Sequence, residues 1–99
     1  MAILDDMKAA LRISRSNTLF DGEVNDLIEA AKNDLRLAGA SLAKTEDLTD
    51  PLIKRAVTVY CKANFGFDNP DAERLQSSYE SLKAHLTLSQ EYTNEAAPS

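Results

Sequence analysis

Apolar side chains recur three and four residues apart through most of the chain, the spacing that gathers them on one face of an α-helix. Four segments carry it. Over 3–12, Leu4, Met7 and Leu11 share a face. Asp5 and Asp6 come early and Lys8 and Arg12 late, the charge order a helix dipole favours. Ser14 to Thr18 then reads as loop. Over 21–38, Val24, Leu27, Ile28, Ala31, Leu35 and Ala38 repeat at helical spacing, with Asp21 placed to cap the start and Gly39 to end it in a left-handed turn. Glu23, Asp26, Glu29 and Asp34 occupy its other faces, so the outside is acidic. Residues 40–49 have no period and read as a linker.

The third segment, 51–65, opens on Asp50-Pro51, a cap followed by a proline at the one helical position where a missing N–H costs nothing. Leu52, Ile53, Ala56, Val57, Tyr60 and Ala63 form a wide apolar face that Val59 and Cys61 extend. So little polar surface predicts the central helix, with Val57 and Tyr60 almost wholly buried. Gly66 supplies a left-handed exit, and Phe67 can fold back on the last turn. In the fourth, 70–87, Asn69 can cap and Pro70 take the first position, and Ala72, Leu75, Tyr79, Leu82 and Leu86 make a narrow stripe. The short connection predicts an antiparallel hairpin of segments three and four. The end, SQEYTNEAAPS, is polar and without period. The expected fold is all-α: a bundle of four helices in residues 1–88 and a flexible tail, 89–99, mobile until a partner orders it.

Ninety-nine residues fit one domain with one modest core. Eleven basic against sixteen acidic side chains give a net charge of −5. Six against nine fall in residues 1–49 and five against seven in 50–99, so neither half is a basic arm. Tight sequence-independent binding to nucleic acid needs many phosphate contacts, which this balance argues against. The single cysteine, Cys61, cannot form an internal disulfide and suits a reducing cytoplasm. MAILDDMKAALR, with two acids by position 6 and no long apolar run, has the pattern of neither a signal peptide nor a membrane span.

No constellation for catalysis, cofactor or metal emerges. His85 is the one histidine, and with Cys61 it makes two zinc ligands where three or four are needed. Cys61 reads as a buried small hydrophobe and His85 as a side chain flanking an apolar stripe. Gly22, Gly39 and Gly66 are isolated, so no phosphate loop exists. One feature stays ambiguous: Lys54, Arg55 and Lys62 along the third segment. They can be a solvated edge, a phosphate contact, or a docking strip for the acidic face of a second copy, offered by Glu23, Asp26, Glu29 and Asp34. Complementary patches on different sides of one molecule make head-to-tail contacts, which close into rings or run on as filaments.

The order of these packing motifs is itself distinctive: a first helix ending LRI, then VNDLIEAAKNDLRLAG, DPLIKRAVTVYCKANFG and FDNPDAERLQSSYESLKAHL before a polar tail. It resembles the head–tail connector family of tailed bacteriophages, also labelled phage DNA-packaging proteins, over about residues 3–92. The resemblance implies a structural virion protein without catalytic residues, made in the host bacterial cytoplasm and placed in the neck between head and tail. It implies a homo-oligomeric ring, dodecameric in the assembled neck, that binds the portal protein and the next neck or tail component. It implies that genomic DNA passes through the ring without specific binding, and no membrane partner is expected. Lys54, Arg55, Lys62, Glu23, Asp26 and Glu29 become candidates for the subunit interface, and Leu88 and Tyr92 for portal contact by the tail. The charged linker at 44–50 departs from the family pattern. The rival reading is a small helical DNA- or protein-binding regulator. Its recognition helix would be DAERLQSSYESLKAHL, whose two bases, Arg74 and Lys83, face three acids, Asp71, Glu73 and Glu80.

Overall fold

The computed structural model describes residues 3–66 and 69–93. Among them run α1 (Ile3–Ala10), α2 (Asp21–Leu37), α3 (Leu42–Glu46), α4 (Pro51–Asn64), α5 (Ala72–Leu88) and α6 (Gln90–Thr93), with no strand. The four expected helices are present, and α3 and α6 add to them. Phe67 and residues 94–99 lie outside the described residues.

α4 is central because only it contacts α1, α2 and α5 together. Its Ile53, Ala56, Val57, Val59, Cys61 and Ala63 are buried. Val57 is fully enclosed, whereas Tyr60, expected to be equally buried, is half-exposed and meets the edge of Tyr79 at 5.1 Å. Asp50 caps as expected, its Oδ1 accepting from the Leu52 and Ile53 amides at 2.9 and 3.4 Å. α1 and α4 run one way and α2 and α5 the other. Lys54 at the start of α4 meets Asp6 of α1, and Phe65 at its end meets Phe20 at the start of α2. Val24, Ile28, Ala31 and Leu35 of α2 and Tyr79 and Leu86 of α5 complete the core.

Helix ends depart from expectation by one or two residues, each for a local reason. Phe20, not Asp21, occupies the N-cap of α2; Asp21 instead lies 2.8 Å from the Nζ of Lys8, a lysine with 2% of its surface exposed. α5 begins at Ala72 rather than Pro70 because Asn69 is already used. Its Oδ1 accepts from the Asp71 amide and its Nδ2 donates to the Lys62 carbonyl, which ties the α4–α5 turn. Gly39 ends α2 with a φ of 121°, its amide bonding Arg36 and the next amide bonding Leu35, a Schellman turn. α1 ends two residues early in the same turn, with Arg12 in the left-handed position at a φ of 62°. That conformation crowds any Cβ. Arg12→Gly is therefore expected to stabilise the protein by about 0.5–1 kcal/mol, read as a higher urea midpoint; a lower one would contradict the strained turn.

The linker and tail hold the unexpected elements, and they hold each other. Ser41 Oγ accepts from the Lys44 amide and starts α3. The buried Thr45 hydroxyl accepts from Arg36 Nε at 2.7 Å. Glu46 bridges Lys32, at 2.9 Å, and Arg36 of α2. The hydrogen bond from Lys32, then the second cation, holds the Glu46 carboxyl below its ordinary range. The expected tail starts by docking rather than trailing. Tyr92 keeps 7% of its surface, its carbonyl accepts from the Ser41 amide at 2.7 Å, and its hydroxyl reaches both oxygens of the Asp50 cap at 3.0–3.1 Å. The packed body thus runs through Thr93 rather than stopping at Leu88.

Candidate functional site

Helical geometry leaves each outer helix one solvent face, and their chemistry differs. On α2, Glu23, Asp26, Glu29, Asn33 and Leu37 are exposed along one side, with Gly22 and Asn25 exposed near its start. Glu23 and Asp26 have no cationic partner among the described residues, and Glu29 pairs with Lys32 at 3.1 Å. Asp34, grouped with them by sequence, turns inward. Its Oδ2 accepts from the Tyr79 hydroxyl at 2.6 Å and from Lys83 Nζ at 3.0 Å, pinning α2 to α5. Burial opposes the Asp34 charge, but those two donors outweigh it and hold the carboxyl below its ordinary range. A depressed folded pKa contributes stability that is present above the unfolded value and lost as pH falls through the folded one. Asp34→Asn should therefore lose less urea resistance than the parent between pH 6 and pH 3. Equal losses would contradict the role of this carboxylate.

α4 is covered on three sides, so its open surface is a ridge. Arg55 and Lys62, seven residues apart and two turns along one line, are exposed and unpaired among the described residues. Lys54 is different: half-buried, it is held 2.9 Å from Asp6. The structure thus keeps Arg55 and Lys62 together as a free basic edge and commits Lys54 to the α1–α4 contact. Because α2 packs on the opposite side of α4, the basic ridge and the acidic α2 face point away from each other.

Hollows flank the ridge at both ends of the α4–α5 seam. Near the start of α4, Leu52, Leu82, His85, Leu86, Ser89 and Tyr92 line a mainly apolar groove of about 430 Å³. Near its end, Lys62, Arg12, Phe65 and Leu75 border a smaller notch of about 240 Å³. The sequence pattern did not reveal the groove, because α6 forms one of its walls. Of the two tail candidates, Leu88 is 86% exposed at the end of α5, whereas Tyr92 is turned into the fold and lines the groove.

Burial pushes the Cys61 thiol up to about 12, which keeps it protonated at neutral pH. His85 lies exposed on the groove wall. Among the described residues no group of three or more His, Cys, Asp or Glu side chains could hold a metal ion, and no helix is long and apolar enough to cross a membrane. The described surface carries opposite charges on opposite sides and an apolar groove between helices.

A family model described as phage connector protein matches residues 3–93, from the first turn of α1 to the last residue of α6. No curated protein and no solved structure matches the chain.

Proposed function

Because the chain belongs to the phage connector protein family, structural components of the phage head–tail junction, we propose that it forms a ring beneath the portal. There it extends the DNA channel and passes the connection on to the next neck or tail component. The observation that carries this reading is the pair of opposite-sign surfaces on opposite sides of one small fold. Arg55 and Lys62 stand on α4, and Glu23, Asp26 and Glu29 on α2. Such a molecule is complementary to itself head to tail, and a closing rotation turns that contact into a ring.

The charge balance supports passage of DNA rather than its capture. At −5 per chain, twelve copies carry on the order of −60 before local pairing. A wall of that sign lets a polyanion slide where a basic lining would hold it. We assign the portal contact to the end of α5 and the chain beyond it, where Leu88 stands exposed. Tyr92 serves that contact from within, by fixing the direction in which the chain leaves the body.

A phage lacking this gene should yield heads and tails as separate particles in the lysate, and expression of the gene in trans should join them. Virions joined without it would sink the proposal. The purified chain should leave duplex DNA unshifted at physiological salt, and a shift there would contradict free passage.

A further inference from the structure

We propose that α2 of a second copy lies antiparallel to α4 along the α4–α5 seam, its Leu37 seated in the apolar groove at Leu52, its Asp26 at Lys62 and its Glu29 between Lys62 and Arg55. The inference rests on the ring reading above and names the surfaces that would build the ring. Three observations converge on it.

The first is direction. Within one chain α2 runs against α4. Neighbours in a ring of many copies are related by a small rotation, which cannot reverse a helix, so α2 of the neighbour must also run against α4.

The second is spacing. Leu37 is 88% exposed, on the same face of α2 as Asp26. The two are eleven residues apart, or about 16 Å along a helix axis. On α4, Leu52 at the groove and Lys62 are ten residues apart, about 15 Å. Antiparallel, a leucine placed in the groove therefore brings Asp26 to Lys62, with Glu29 between Lys62 and Arg55 and Asn33 beside Arg55.

The third is chemistry. Arg55, Lys62 and Asp26 lack charged partners among the described residues, so pairing them displaces no internal contact, and Glu29, already 3.1 Å from Lys32, adds its second carboxylate oxygen. The groove of about 430 Å³ is lined mostly by leucine and tyrosine, a fit for an aliphatic side chain. Charge pairs set the register and exclude the wrong one, while burial of Leu37 supplies the adhesion.

Two charge-reversed proteins test the register. One carries Asp26→Lys with Glu29→Lys, the other Arg55→Glu with Lys62→Glu. Each alone opposes like charges at every contact, so each should join the phage's purified portal at least tenfold more weakly than the parent. Mixed in equal amounts they should recover assembly, because alternating copies restore opposite charges around an even-numbered ring. Native mass spectrometry should then show the two in equal numbers. Leu37→Asp should also weaken assembly tenfold or more, with its thermal unfolding unchanged. If the parent joins the portal and either charge variant joins equally well alone, or the mixture does no better than its components, this interface is wrong while the ring reading stands. If Leu37→Asp assembles like the parent, the groove is not the seat. If the parent itself neither joins portal nor self-associates, the ring reading fails and takes this interface with it.

Discussion

Val57→Asp is expected to remove a large part of the protein's stability. Val57 is fully buried on the face of α4 that packs into the core. The nearest elements supply aliphatic groups, and the Tyr79 hydroxyl is already given to Asp34. A carboxylate at 57 would have to ionise without a partner or stay protonated among hydrocarbon side chains. Either outcome costs about 4 kcal/mol or more, out of a total stability that for such domains is about 5–15 kcal/mol. Val57→Ala, which removes only two methyl groups, should cost about 2 kcal/mol and keep a cooperative transition. Circular dichroism with temperature and urea separates these outcomes. A Val57→Asp protein that melts like its parent would refute the central position of α4.

Tyr92→Ala is expected to cost about 3 kcal/mol, although sequence alone places Tyr92 in a loose tail. The loss has two parts. The ring fills the corner where α6 meets α3 and the start of α4, with Lys44 Nζ 5.1 Å from its centroid. The hydroxyl touches the Asp50 carboxylate that caps α4. Tyr92→Phe keeps the first part and removes the second, so it should cost about 1 kcal/mol. Cutting the chain after Leu88 should be at least as damaging as Tyr92→Ala. If all three variants unfold at the parental urea midpoint, the docked end contributes nothing and the body stops at α5.

The contrast between these two residues marks what the sequence could show. Val57 sits in a run whose apolar spacing, proline and aspartate cap leave α4 little choice, and core membership follows from that local pattern. The same holds for Val24, Ile28 and Leu35 on α2. Tyr92 follows from no local pattern. A four-residue helix has too few positions to display a period, and its burial depends on Ser41 and Asp50, some fifty and forty residues earlier in the chain. α3 was legible in principle: Ser41 followed by LAKTE is a capped turn, but the burial of Thr45, whose hydroxyl donates to the Ser41 and Leu42 carbonyls and accepts from Arg36, depends on α2 lying alongside.

The surfaces divide in the same way. That Arg55 and Lys62 share an edge and that Glu23, Asp26 and Glu29 are exposed follows from helical spacing. That Asp34 and Lys54 are spent on internal pairs does not, because it depends on Tyr79, Lys83 and Asp6 being brought alongside. Charge patterns show which faces are polar; tertiary contacts decide which charges remain free for a partner.

The most direct test of the connector reading is the mass of the complex formed with purified portal from the same phage, measured by light scattering during size exclusion. The account predicts a single species whose added mass equals one copy of this chain per portal subunit, dissolved by charge reversal at Arg55 and Lys62. Portal and chain eluting separately at saturating concentration, with the chain retained instead on duplex DNA at physiological salt, would contradict it.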